Sequence, residues 1–137
     1  MESNQTLGVR LATAAHSGNS ELVRDLLSQG ADANTHAGLA SPLFLAAIGC
    51  HVEVVRLLLD AGANVDEGAN YRSTPLICAV ERGDAQMVRM LLAAGADTSI
   101  HSEEENWGRD QGTALTQAMA ANRREIVEIL RAAGATE

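Results

Sequence analysis

The chain has 137 residues, a formal net charge of −8 and a sequence pI of about 4.9. This charge would repel the backbone of a nucleic acid and an anionic membrane surface, so we expect partners that are neutral or basic proteins. All ten basic residues are arginine, which excludes Schiff-base and P-loop lysine chemistry. A biased genome would explain the missing lysine; escape from lysine-targeted modification such as ubiquitin transfer is the alternative.

The amino-terminal residues are polar, and no apolar stretch approaches the roughly 20 residues needed to cross a bilayer. We therefore expect neither a signal peptide nor a transmembrane helix, and we predict the cytoplasm as the compartment. Cys50 and Cys78 form no recognisable disulfide framework, so both are predicted to be free thiols, with Cys78 facing inward. The length fits one domain, residues 1–137.

The sequence is built from four copies of one unit. Residues 41–66 align without a gap after a shift of 33, a shift of 32 finds an earlier copy, and a shift of 39 from the third finds a fourth. The predicted boundaries are 8–40, 41–72, 73–111 and 112–137, called copies 1 to 4 below. One unit buries too little surface to be stable alone, so we expect the copies to stack and share a core.

Each copy is predicted to begin with a helix of about two turns. A hydroxyl residue that can cap free amide groups opens it at Ser41-Pro42, Thr74-Pro75 and Thr113. A turn follows at Gly18, Cys50, Gly83 and Asn122. Asparagine tolerates left-handed angles, and we expect Gly49 to absorb the strain beside Cys50.

A second helix then carries the stronger apolar stripe. Asn19 and Asp84 are its predicted N-caps in copies 1 and 3. The spacing of its apolar residues places them on one helical face, and the leucines Leu26, Leu58, Leu91 and Leu130 should line successive layers of a common interior. Glycines in the left-handed conformation are predicted to end these helices at Gly30, Gly62, Gly95 and Gly134.

The openings of copies 2 and 3 resemble a known repeat motif. Residues 41–47 (SPLFLAA) and 74–79 (TPLICA) are similar to the Thr-Pro-Leu-His-x-Ala opening of ankyrin repeats, and the period also matches. Gly30 to Asn34 and Gly62 to Asp66 resemble the stretch that begins the ankyrin β-hairpin loop. The resemblance implies an all-α ankyrin-repeat solenoid of helix-turn-helix pairs with projecting β-hairpin loops.

The resemblance also implies a function: hairpin tips and the concave face of the first helices would bind a partner protein. We therefore predict a non-catalytic, monomeric adaptor or inhibitor without a cofactor, whose partner has a basic patch. Its predicted partner-binding residues are His36, Ile48, Tyr71, Arg72, Glu81, Arg82, His101, Glu103, Glu104, Glu105, Trp107 and Arg109.

The loop of copy 3 is the longest. Gly95 to Thr113 spans 18 positions, where Gly62 to Thr74 spans 12. Its glutamates would attract a basic partner, although a solvated acidic loop is the alternative. Exposed aromatics are typical interface anchors, so Trp107 is either such an anchor or a cover for its own loop. The same two interpretations apply to Tyr71, whereas Phe44 is predicted to lie in the core.

A metal-binding or enzymatic protein is the alternative class. The sequence has no Gly-rich phosphate loop, nucleophile elbow or His-Glu-x-x-His motif. Cys50 beside His51 is the one close pair of residues that commonly bind metals. The acidic loop 102–111 would supply the only other groups for such a site. Modification is a third hypothesis, because Asn34 stands where some eukaryotic ankyrin repeats are hydroxylated.

Overall fold

The computed structural model describes residues 3–36, 38, 40–68, 73–103 and 110–136. Within these ranges the chain forms four successive pairs of α-helices and one short antiparallel β-ladder, which confirms the predicted all-α solenoid. The helices are α1 (Asn4–Ser17), α2 (Ser20–Ser28), α3 (Pro42–Ile48), α4 (Val52–Asp60), α5 (Pro75–Arg82), α6 (Ala85–Ala93), α7 (Ala114–Ala120) and α8 (Arg124–Ala132), and the strands are β1 (Ser102–Glu103) and β2 (Asp110–Gly112).

Helix starts follow the capping signals in the sequence. The hydroxyl oxygens of Ser41, Thr74 and Thr113 accept the backbone N–H three residues further on, at 3.1, 3.2 and 3.3 Å. Asn19 and Asp84 cap α2 and α6 in the same way, at 3.2 and 3.1 Å. Each such cap satisfies an amide that the helix itself cannot pair, and typically contributes about 1 kcal/mol.

The first helices of the copies pack in one continuous row, α1 on α3, α3 on α5 and α5 on α7, while α2 packs on α4 and α6 on α8. The four leucines of the second helices, Leu26, Leu58, Leu91 and Leu130, are fully buried and belong to one apolar cluster, as predicted. The four copies therefore share a single core. The copy boundaries stay a prediction; α1 begins before residue 8, and β2 crosses the boundary at 111/112.

Copies 2, 3 and 4 are each hydrogen-bonded to the preceding copy through a backbone carbonyl at the equivalent position of the first helix. This carbonyl lies in the last turn of α1, α3 and α5, and a side chain of the next copy donates to it at 2.8 to 3.0 Å. We call these three contacts the inter-copy bonds. They run from His51 Nε2 to the oxygen of His16, from Arg82 Nε to that of Ile48, and from Arg123 Nη2 to that of Glu81.

Two of the inter-copy bonds require glycine at the turn between the paired helices. Gly18 and Gly83 have φ angles of 75° and 71°, in the left-handed region that side chains disfavour. A Cβ at Gly18 would also lie 2.5 Å from the ring of His51, and one at Gly83 would lie 2.4 Å from Nη1 of Arg123. Glycine is therefore needed for two reasons: it adopts the left-handed angle, and it leaves room for the donor side chain that lies against the turn.

The turn of copy 2 has Cys50 in place of glycine, and Cys50 itself adopts a left-handed φ of 56°. The expectation that Gly49 absorbs the strain is wrong, because its φ of −81° is right-handed. The next copy has the short Asp84 where His51 and Arg123 stand elsewhere, and Arg82 makes the inter-copy bond instead. Asn122 takes the left-handed angle expected of it, with φ 57°.

Replacement of Leu58 by alanine tests the shared core. The side chain is fully buried, so Leu58→Ala should lower the free energy of unfolding by about 2 to 5 kcal/mol. Urea denaturation followed by circular dichroism measures the change. Val9→Ala, at a side chain that is 47% exposed, is the matched control and should stay within about 0.5 kcal/mol; equal losses in both variants would contradict a shared core.

Replacement of Gly83 by alanine tests the link between turn and inter-copy bond. Gly83→Ala and Gly95→Ala both place a side chain at positive φ, costing about 1 kcal/mol, but a Cβ at Gly95 meets no atom within 4 Å. Gly83→Ala should cost about 0.5 to 1.5 kcal/mol more, because Arg123 must leave the Glu81 carbonyl.

The extra cost should vanish when Gly83→Ala is introduced into an Arg123→Ala background, as measured by urea denaturation of the unmodified chain, the three single variants and the double variant. An excess that persists without the arginine would show that the inter-copy bond is not its cause.

Candidate partner-binding surface

The turns that follow the second helices are tied together from one copy to the next. In copies 1, 2 and 3 an acidic or amide side chain accepts the backbone N–H two residues further on, at 2.9 to 3.1 Å. Another side chain then reaches the next turn. Asn34 Oδ1 accepts the N–H of Asn64 at 2.7 Å, and Asp66 Oδ1 accepts that of Asp97 at 2.8 Å. The turns thus form one hydrogen-bonded row.

Two members of this row have notable side-chain chemistry. Asn34 also donates through Nδ2 to the carbonyl of Gly62 at 3.1 Å, so both ends of its amide are used. The pKa of the exposed Asp97 carboxyl is lowered, because the hydroxyl and the N–H of Ser99 donate to it. Its negative charge is therefore retained under mildly acidic conditions.

A cleft of about 340 Å³ opens beside this row. His36 Nε2 pairs with the Glu67 carboxylate at 2.5 Å across the boundary between copies 1 and 2. Glu67 and Gly68 form one wall of the cleft. Ser41 fixes the position of this wall, because its hydroxyl donates to the Glu67 carbonyl at 2.7 Å. The described residues that line the cleft are His36, Asp66, Glu67, Gly68, Ser73, Thr74 and Ile100.

Gly68 is required by the close approach of two backbone segments in this wall. A Cβ there would lie 1.7 Å from the carbonyl oxygen of Ser73, a contact that no side chain allows. The shape of the cleft is therefore set by the backbone as well as by the side chains.

The base of the long loop in copy 3 is a short β-ladder. Strands β1 and β2 are antiparallel, with Ser102 opposite Gly112, and an irregularity in the register follows Ser102. The Ser102 hydroxyl is buried and accepts from Gln117 Nε2 at 2.6 Å, which joins the ladder to α7. The sequence did not predict the hydrogen bond between Ser102 and Gln117, because residues 15 positions apart share no local sequence pattern.

The structure divides the predicted binding residues into three groups. His36 lines the cleft, and the exposed His101 follows Ile100, which also lines it. Glu103 pairs with Asp110 in the ladder. Six others lie outside the described residues: Tyr71, Arg72, Glu104, Glu105, Trp107 and Arg109.

The remaining three predicted residues lie at the ends of the first helices. Ile48 is half-buried against a small cluster formed by Phe44, Ala47 and Cys78, which also confirms that Phe44 is a core residue. The Arg82 guanidinium already donates one hydrogen bond within the chain, from Nε to the Ile48 carbonyl. Partial burial raises the pKa of Glu81, so its carboxylate is less favoured than in water.

The two thiols differ in environment, and both are free. Burial raises the pKa of the Cys78 thiol to about 11, and the nearby charge of Glu81 adds to the effect. Cys50 is exposed at its turn. His51, its proposed metal-binding companion, uses Nε2 in the inter-copy bond. Across the described ranges, no three or more His, Cys, Asp or Glu side chains are grouped so that they could hold a metal ion.

The sequence matches the profile of a family described as ankyrin repeats (three copies), over residues 11–102. This chain belongs to the ankyrin repeat family. The chain is 39% identical over 126 residues to the ankyrin repeat and KH domain-containing protein CBG24701 of Caenorhabditis briggsae, covering 92% of this chain and 4% of that protein. It is also similar to mask-1 of Caenorhabditis elegans, which bears the same description (37% over 100 residues; 69% and 4%).

A third relative is the E3 ubiquitin-protein ligase KEG of Arabidopsis thaliana, 37% identical over 86 residues, 61% of this chain and 5% of the ligase. The chain thus spans only 4 to 5% of the length of these curated relatives. Ankyrin repeats indicate a protein–protein interaction module, and the family is typically non-catalytic even where a whole relative is an enzyme. None of the helices in the described part of the chain is long and apolar enough to cross a membrane.

Thiol labelling tests the two cysteine environments. At pH 8 the exposed Cys50 should react with a chromogenic disulfide reagent at the rate of an ordinary free thiol. Cys78 should react at least about 100-fold more slowly, because a pKa of about 11 and burial leave little accessible thiolate. Cys50→Ser and Cys78→Ser assign the two phases, and both thiols should react at once in denaturant. Fast labelling of the native Cys50→Ser protein would contradict this account.

Proposed function

We propose that this chain is a non-catalytic adaptor or inhibitor that binds a partner protein through its hairpin turns and the adjoining face of its first helices. The observation that supports this proposal best is the continuous row of turns. Its polar groups bond to one another from copy to copy, as Asn34 does to Asn64 and Asp66 to Asp97. A surface that is ordered before binding loses little conformational entropy when it meets a partner.

The charge of the chain supports a basic partner. The net charge is −8, and several carboxylates lie on or beside the row of turns, among them Asp32, Asp66, Glu67 and Asp97. Complementary charge accelerates association more than it strengthens the final complex. We therefore propose that the acidic turns attract a partner with a basic patch, and that the chain acts as a monomer in the cytoplasm.

The residues between the described segments are part of this proposal. Tyr71 and Arg72 belong to the loop of copy 2, and Glu104 to Arg109 belong to the long loop that the β-ladder anchors. Buried aromatic anchors account for much of the affinity of protein interfaces. We propose Tyr71 and Trp107 as these anchors, and the glutamates of the long loop and Arg109 as further contacts. Ile48, Glu81 and Arg82, at the carboxyl ends of the first helices, belong to the proposed set as well.

A binding measurement tests this assignment. The chain is used to isolate its partner from native extract, the partner is identified by mass spectrometry and produced in recombinant form, and the Kd is measured by calorimetry. The Tyr71→Ala, Trp107→Ala double variant should weaken binding by at least about 30-fold, as loss of an interface anchor does. Gln86→Ala, at an exposed neutral residue of the second helix α6, is the control and should bind like the unmodified chain.

Circular dichroism of the double variant must show unchanged helicity. Full affinity in the double variant would contradict the assignment of the anchors. Raising the salt concentration from 50 to 200 mM should also slow association, because it screens charge attraction between the two proteins.

A further inference from the structure

The cleft beside the turns has the dimensions of a small binding site. Its volume of about 340 Å³ lies at the low end of the range of about 300 to 1,000 Å³ that is typical of ligand pockets. The described lining residues are half-buried or exposed, apart from Thr74, so within the described part of the chain the cleft is accessible to a segment of another protein. A space of this size suits one long side chain and the backbone next to it.

The lining combines two carboxylates with one apolar wall. Asp66 has one oxygen bonded to the Asp97 N–H, and Glu67 has one oxygen paired with His36. A carboxylate offers about four acceptor positions, so both groups can accept further hydrogen bonds from a cation. Ile100 supplies the apolar part of the lining, against which the methylene groups of a long cationic side chain would pack.

A comparison of copies 1 and 2 within the chain indicates that the charge of Asp66 is not needed for folding. Its counterpart in copy 1 is Asn34, which accepts the N–H of the next turn at 2.7 Å, as Asp66 does at 2.8 Å. Asn34 makes an additional bond to the carbonyl of Gly62 that a carboxylate cannot make. An amide would therefore satisfy the structure at least as well, and the negative charge is left for another role.

We propose that this cleft binds an arginine side chain from an extended segment of the partner protein. The guanidinium contacts the carboxylates of Asp66 and Glu67, and its methylene groups lie along Ile100. Arginine fits better than lysine, because its planar set of N–H donors matches carboxylates in pairs. This assignment rests on the proposed function, since it names the chemistry by which the partner is recognised.

Titration with a small arginine compound tests the cleft without the partner. N-acetyl-arginine amide is added to the ¹⁵N-labelled chain, and N-acetyl-citrulline amide, its neutral counterpart of the same shape, is added to a second sample. Only the arginine compound should shift the backbone amide signals of Gly68, Ser73 and Ile100. Asp66→Asn should weaken this binding about 2- to 5-fold, the range for a single exposed ion pair.

Asp32→Asn is the matched control. It removes the same single charge, lies outside the described lining of the cleft, and has a natural precedent in Asn64, which accepts the equivalent turn N–H in copy 2. It should bind the arginine compound like the unmodified chain. The Asp66→Asn protein should also unfold at the same or a higher urea concentration, which shows that only the charge has been removed.

The proposal is overturned if the citrulline compound shifts the same amides equally, or if both asparagine variants bind arginine with the same affinity. Either result leaves the proposed function standing, because that function is tested separately by the Kd of the isolated partner. If the partner binds through Tyr71 and Trp107 but the arginine compound shifts none of the cleft amide signals, only the assignment of the cleft fails.

Discussion

The structure depends on one constraint: its helices are too short to be stable unless neighbouring copies cover them. Seven of the eight described helices have between seven and nine residues, whereas isolated helices below about 12 to 15 residues are marginal in water. Stability therefore comes from packing between copies, through the single cluster that contains Leu26, Leu58, Leu91 and Leu130. The repeated sequence is the consequence, because each copy has to present one face to the copy before it and a matching face to the copy after it.

Hydrogen bonds reinforce this packing on both sides of the core. On one side, the inter-copy bonds occupy the same carbonyl in α1, α3 and α5; on the other, Asn34 and Asp66 join successive turns. The donor to the carbonyl determines what the turn residue can be. Where His51 or Arg123 crosses the turn, glycine is required, and where the short Asp84 follows, a cysteine at positive φ is accommodated. The result is a surface whose turns are positioned before any partner arrives, which is the physical basis of the proposed binding function.

Much of the fold could be predicted from the sequence, because its signals are local. N-caps such as Ser41 and Asn19, the left-handed glycines and the buried leucines each depend on residues a few positions apart. The contacts that sequence reasoning missed connect residues far apart in the chain. The inter-copy bonds span 34 to 42 positions and use different donors in different copies, so no repeated residue reveals them. The expectation for Gly49 failed because Cys50 itself takes the left-handed angle. At the proposed binding surface, the sequence predicted the turns and His36, but not the cleft that His36 lines together with Asp66 and Ile100.

The interdependence of the copies is the central claim, and residue-resolved hydrogen exchange across a urea series tests it most directly. The amides of α3, α5 and α7 belong to three different copies that pack in one row. If the copies form one cooperative unit, these amides lose protection at the same urea concentration, with the same free energy of opening. Loss of protection at separate urea concentrations, one copy after another, would contradict the account, because each helix pair would then be stable without its neighbours.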